Sequence, residues 1–176
     1  VVKIATKHNI SKLLGKILVN RNIVHDKQIE IFLKPTRNDF YNPFLMKDMD
    51  KAVSRIIKAI QNKEKTIIYG DYDVDGITSI TVLKKFLDER GLQTDYYIPN
   101  RLEEGYGLNQ EAIEKIAKEG YTLIITVDCG ISGIEEINSA NEYGMETIIT
   151  DHHEQLVKLP HAYAIINPKR EDNTYP

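Results

Sequence analysis

Paired cysteines, long apolar runs and an excess of positive charge are all missing from this chain of 176 residues. Its single cysteine, Cys129, excludes an internal disulfide. No stretch is long and apolar enough for a membrane-spanning helix. A formal net charge of -3 argues against a strongly basic nucleic-acid surface on the chain taken as a whole. Residues 1–8 lack the apolar core of a signal peptide and begin at Val1 without methionine, so a chain cut from a longer one is expected, in a reducing cytoplasm. There is no repeat and no low-complexity segment. What is present, 41% hydrophobic residues, is enough for one core with a small appended subdomain.

Residues 1–47 read as a helical extension and linker. Leu13, Leu14, Ile17 and Leu18 stand at helical spacing, and Asp26 is placed to cap a short helix carrying Ile29, Phe32 and Leu33, ended near Pro35. Over residues 36–47, Phe40, Tyr41 and Phe44 stand among Asn and Pro. They are expected to pack the extension onto the main domain, with nucleobase stacking as the alternative. His8, His25 and His161 read as ordinary surface or loop residues.

Residues 48–176 read as that main domain. A helix starts at Asp48 or Asp50 and runs to about Lys63, with Met49, Ala52, Val53, Ile56, Ile57 and Ile60 on its apolar face. Apolar strands then alternate with amphipathic helices. Strands are expected over 66–69, 94–98, 122–127 and 146–150, with a final apolar run at 162–166. The first crossover helix starts at Ile77 and buries Ile77, Ile80, Leu83, Phe86 and Leu87. Asn109 caps the second, and the third spans about 133–143. This pattern predicts an α/β fold, a doubly wound, mostly parallel sheet covered on both faces. Ligands of such sheets gather at the carboxyl ends of the strands, near a switch point in strand order.

The chemistry-bearing residues fall at those ends. Asp71, Asp73 and Asp75 follow the first strand, Asp128 with Cys129 and Gly130 follows the third, and Asp151, His152, His153 and Glu154 follow the fourth. Three carboxylates on one turn repel one another unless a cation or proton compensates. Carboxylates with imidazole and no thiolate cluster select Mn²⁺ or Mg²⁺ first, and Zn²⁺ or Fe²⁺ second. Several Asp suffice for two ions, the usual arrangement for phosphoester hydrolysis. An EF-hand loop beginning at Asp71 fails because its twelfth position is Val82 and an apolar strand precedes it. The nucleophile loop of haloacid dehalogenases resembles Asp73-Val74-Asp75-Gly76, and an aspartyl-phosphate phosphatase stays open as a rival on these residues alone. Asp151 is either a ligand or a turn cap. Adjacent His152 and His153 are expected to point in different directions from an extended backbone, leaving one free for substrate or proton transfer. Arg101, in the loop after the second strand, is the candidate phosphate clamp, or an exposed Arg paired to Glu. Cys129 reads as a small buried residue rather than a nucleophile.

Together Asp73-Val74-Asp75-Gly76, Thr126-Val127-Asp128-Cys129-Gly130 and Asp151-His152-His153 resemble motifs one to three of the DHH phosphoesterase superfamily. Tyr97 to Arg101, Glu104 to Gly107, Ile166 to Lys169 and Tyr175-Pro176 resemble its RecJ branch of single-strand-specific 5′ to 3′ DNA exonucleases, acting in repair and recombination. The resemblance implies that Asp73 binds one metal and Asp75 the other, Asp128 bridges them, and His152 binds the second. It implies that His153 contacts the scissile phosphate or activated water; Asp71 and Asp151, from their place at the same strand ends, are additional candidates. Single-stranded DNA is the implied partner, with other repair proteins. Pyrophosphatase relatives carry a His where this chain has Tyr69. The fourth motif and the second domain of the branch should lie beyond Pro176, so this chain is expected to be the N-terminal part of a longer enzyme, weakly active or inactive alone. Relatives cleaving short oligoribonucleotides or cyclic dinucleotides are the alternative, and a non-catalytic binding module is a third reading.

Overall fold

β-branched and aromatic residues pack well on a pleated surface, and five runs rich in them become strands: β1 Thr66–Gly70, β2 Thr94–Tyr97, β3 Leu123–Val127, β4 Glu146–Thr150 and β5 Ala164–Ile166. The computed structural model describes residues 1–155 and 158–176. Its α-helices are α1 Val2–Lys7, α2 Lys12–Asn20, α3 Asp26–Leu33, α4 Met49–Asn62, α5 Val74–Asp88, α6 Gln110–Lys118 and α7 Ile134–Glu142. Two compact units result, Val1–Asn42 and Pro43–Pro176.

In the larger unit every strand pairing is parallel, in the order β2-β1-β3-β4-β5. Alternation along each strand feeds two cores. Ile67, Tyr69, Ile124, Ile149 and Ile165 meet α6 and α7 through Ile113, Ile116 and Ile137. Ile68, Ile125, Val127, Ile148 and Ala164 meet α4 and α5 through Ala52, Ala59, Ile80 and Leu87. Each fully buried Ile contributes about 1.5–3 kcal/mol relative to exposure. The chain leaves β1 for β2 on one side and returns through α6 to β3 on the other side of β1. Strand order therefore reverses between β1 and β3, which is where such a sheet opens a crevice at its carboxyl edge.

The helix faces differ from those expected. Ile57 on α4 is 48% exposed, as is Phe86 on α5, and Ile77 is 45% exposed. One sheet face accommodates only part of the apolar residues these two helices carry. Arg55 is buried instead, paired with Glu64 and Glu146. Arg170 is also buried. Its guanidinium donates to Asp48 at 2.8 Å, to the Ile165 carbonyl at 2.7 Å and through two nitrogens to Asp172 at 2.8 Å each. Asp48, expected as a helix cap, makes no side-chain cap bond because its carboxylate serves Arg170 and the Ile165 N–H.

In the smaller unit Ala5, Leu18 and Ile29 form the buried centre. Ser11 caps α2 by accepting from the Leu14 N–H at 3.1 Å. Asp26 does not cap α3. His25 takes that position without a side-chain bond, and the Asp26 carboxylate pairs with Lys7 and with His8 at 2.8 Å. His8 is thereby a nearly buried partner rather than an ordinary surface residue. Phe40 is 77% and Tyr41 54% exposed.

Candidate metal centre

The turn after β1 puts Asp71 inside and Asp73 at the start of α5. Asp71 is 2% exposed, and one of its carboxylate oxygens, Oδ1, is buried with no hydrogen-bond partner. Asp73 is the N-cap: its Oδ1 accepts from the N–H groups of Asp75 at 2.9 Å and Gly76 at 3.0 Å. Helix α5 therefore begins at Val74, three residues earlier than expected, and Asp75 lies exposed in its first turn. Gly76 permits this close approach. A Cβ there would sit 2.2 Å from the Asp71 carbonyl oxygen, a clash with backbone that no rotamer relieves.

Asp128 follows β3 in the left-handed region, φ 59°, its N–H donating to the Thr150 carbonyl at 3.0 Å. This turn aims a largely buried carboxylate at the switch point. Its Oδ1 lies 2.8 Å from His152 Nε2, which donates the proton since an ionised carboxylate only accepts. Burial pushes the Asp128 carboxyl above its ordinary value. The negative charge of Asp73 adds to the rise, and the His152 hydrogen bond opposes it.

Asp151, after β4, organises its neighbours. Its Oδ1 accepts from the N–H of His152 at 2.7 Å and of His153 at 3.0 Å, and lies 2.7 Å from His153 Nδ1; its Oδ2 accepts from the Ile131 N–H at 2.9 Å. With both oxygens engaged, Asp151 is a turn cap and imidazole anchor. Nδ1 of His153 therefore carries the proton, and Nε2 keeps a lone pair. The His rings do not diverge as expected. Their centroids are 4.5 Å apart, because both backbone N–H groups converge on one Asp151 oxygen.

Two groups of donors emerge, one ligand atom per residue, with all atoms in each group within 4.8 Å of one another. One comprises Asp71, Asp73 and Asp128; the other comprises Asp128, His152 and His153. Asp128 belongs to both, and Asp75 to neither. Burying a carboxylate oxygen without a donor is costly unless a cation supplies the missing partner. The orphaned Asp71 oxygen and the all-oxygen first group thus fit a hard divalent cation, and the imidazoles of the second suit a transition ion such as Mn²⁺.

The loop at 100–108 overhangs the same sheet edge. The Tyr69 hydroxyl donates to the Gly107 carbonyl at 3.0 Å and accepts from Asn109 at 3.2 Å, so this buried ring anchors the loop. Arg101 stacks its guanidinium over Tyr72, 5.4 Å from the ring centre, rather than pairing with Glu. Glu104 is occupied by the Asn100 N–H and the Tyr97 hydroxyl. Two residues that sequence reasoning gave no role also enter. The Tyr106 hydroxyl lies 3.3 Å from the Asp128 carbonyl and from the His153 ring nitrogens. Burial and nearby carboxylates push its phenol upward, keeping it protonated. Buried Asn167 donates to the His153 carbonyl at 2.9 Å. Their only signals were the Gly-Tyr-Gly run and the Asn-Pro after β5. Cys129 is buried, with its thiol pushed up first by burial and then by the Asp charges, and is no nucleophile.

A parallel α/β sheet whose switch point gathers carboxylates and imidazoles defines a metallohydrolase-like architecture. The chain belongs to the DHH family, whose N-terminal domain matches residues 65–174. It is 45% identical over 168 residues to the single-stranded-DNA-specific exonuclease RecJ of Bacillus subtilis, spanning 96% of this chain and 21% of that protein. The RecJ of Haemophilus influenzae is 34% identical over 165 residues, 93% of this chain and 28% of that protein. Among solved structures, exonuclease RecJ bound to manganese superposes with a TM-score of 0.71 at 31% identity, covering 77% of this chain and 35% of that one. The chain thus spans less than a third of the length of these two curated relatives. No helix among the described residues is long and apolar enough to cross a membrane.

Proposed function

We propose that this chain supplies the catalytic edge of a longer enzyme that hydrolyses phosphodiesters of single-stranded DNA from the 5′ end, using two Mn²⁺ or Mg²⁺ ions. The observation that carries this reading is the placement of Asp128 in both donor groups, one of which holds a buried Asp71 oxygen without a partner. Asp71, Asp73 and Asp128 would hold one ion; Asp128 and His152 the other, with Asp75 as the further carboxylate that the family resemblance assigns. Bound there, divalent cations lower the pKa of water and stabilise the charge on the leaving oxygen.

The chain's own residues do the rest. Asp151 fixes the His153 tautomer, leaving Nε2 to accept a proton or hydrogen-bond a phosphate oxygen. Tyr106, a donor held against the Asp128 carbonyl, limits where that imidazole can go. Arg101 clamps the terminal phosphate from the overhanging loop, kept extended by Tyr72. Repair and recombination in the cytoplasm are the roles that fit, with residues 1–47 as an extension and 48–176 as the incomplete catalytic domain.

The test is degradation of long single-stranded DNA labelled at either end, beside di- and trinucleotides, by the full-length protein with Mn²⁺. Release of label from the 5′ end first is expected. Exclusive cleavage of the short substrates would reject the proposal. The 176-residue chain alone should turn over far more slowly.

A further inference from the structure

The net charge of -3 conceals a division. Residues 1–42 carry eight Lys and Arg against three Asp and Glu, a net of +5, whereas residues 43–176 carry 15 against 23, a net of -8. The first 25 residues contain no acid at all. All eight basic side chains of the smaller unit are exposed. Only Lys7 among the first five is committed to an ion pair among the described residues, with Asp26.

Their placement opposes local helix stability. Lys3 lies in the first turn of α1 and Lys12 opens α2, and neither helix has an acid in its first turn. Positive charge there works against the helix dipole. Ser11 caps α2, but neither Lys3 nor Lys12 has an ion-pair partner among the described residues, so both charges stay available to an anion. Lys12 and Lys16 stand one turn apart on one face, about 6 Å along the helix axis, and Arg21, the C-cap, adds a further cation at the end of the helix and off that face. Cations spread along the unit in this way suit the spaced phosphates of a strand better than one compact anion.

The same unit offers a platform for bases. Phe40 and Tyr41 line a cleft of about 370 Å³ with Lys27. Asp39 also lines it, but its carboxylate is turned to the Thr36 N–H at 2.8 Å and hydroxyl at 2.7 Å. Aromatic faces beside lysine fit unpaired bases, which a duplex keeps stacked.

We infer that the N-terminal unit is a sequence-independent binding surface for single-stranded DNA, with Lys3, Lys12, Lys16 and Arg21 neutralising phosphates and Phe40 stacking a base. This deepens the proposed function by placing strand capture on a unit separate from the acidic catalytic one, and it rests on that reading for the choice of DNA.

The test uses the 176-residue chain and a fluorescein-labelled oligothymidylate, followed by anisotropy in EDTA from 50 to 200 mM KCl, so that no cleavage intervenes. Replacing the four cations together (Lys3→Gln, Lys12→Gln, Lys16→Gln, Arg21→Gln) should flatten the plot of log affinity against log salt by about 2.8, at about 0.7 per phosphate contact. Circular dichroism should be unchanged. Phe40→Ala should weaken binding about tenfold without changing the slope. A slope altered by less than about one, or polyglutamate displacing the oligonucleotide as well as unlabelled oligothymidylate does, would overturn the inference. Asp128→Asn should bind like the unsubstituted chain, so loss of hydrolysis and loss of strand capture are read separately.

Discussion

Replacing Asp128 by Asn removes one charge from the centre while keeping shape, a residue type at ease at positive φ, and an oxygen that accepts from His152. In the absence of metal the Asp128 carboxylate sits within 4.8 Å of oxygens of both Asp71 and Asp73. Each such pair costs about 3 kcal/mol at an effective dielectric of 20, reduced where water reaches Asp73. Part of that cost is offset because the His152 hydrogen bond is stronger to a carboxylate than to the amide oxygen that replaces it. With solvent screening taking most of this, the metal-free variant should be more stable than the parent chain at pH 7 by at least about 1 kcal/mol, or about 3 °C in Tm. The sign of the pH dependence follows from the raised Asp128 carboxyl. The folded state binds that proton more tightly than the unfolded state, so the parent regains stability as pH falls through the raised value and the gap closes. Mn²⁺ should invert the order: at a hundredfold excess over Kd the parent gains about 2.7 kcal/mol, and the variant, lacking the shared ligand, gains far less. Urea or thermal unfolding with EDTA and then with Mn²⁺ measures both. A variant less stable than the parent in EDTA, or stabilised equally by Mn²⁺, would refute the reasoning.

Gly76→Ala should cost at least about 2 kcal/mol in urea unfolding and erase the Mn²⁺ response, because its Cβ meets the Asp71 carbonyl and pushes the α5 cap off the site. Arg170→Ala should destabilise by about 1–3 kcal/mol in the same assay, since it leaves the Ile165 carbonyl without its donor and Asp48 with only the Ile165 N–H. The Asp88 carboxyl is held below its ordinary value of 3.8 by the Thr94 N–H and then Lys84. Its contribution is complete above 3.8 and fades as pH falls through the lower folded value, so Asp88→Asn should flatten the acid limb of the stability profile.

The site was legible because a parallel sheet sends all its strand carboxyl ends to one edge, so Asp71, Asp73, Asp128 and the His pair could be brought together from strand positions alone. Strand order was not legible, since β2-β1-β3-β4-β5 depends on which way each crossover turns. Nor were the buried faces of α4 and α5. Ile57, Ile77 and Phe86 satisfy helical periodicity, yet periodicity cannot say how much of a stripe a sheet covers. The His rings were misjudged because Asp151 was weighed as cap or ligand, and its power to gather two N–H groups and an imidazole on one oxygen has no sequence signature. Asp26 and Asp48 looked like caps, but both carboxylates were drawn to distant cations, Lys7 and Arg170, that only the fold brings near.

Anomalous scattering from crystals of the chain soaked in Mn²⁺ tests the central claim most directly. The strongest peak should lie among the carboxylates of Asp71, Asp73 and Asp128, and should vanish in Asp128→Asn crystals soaked in parallel. A saturated crystal with no peak at those oxygens, or with its only peaks elsewhere on the chain, would contradict the assignment of a metal centre to the switch point.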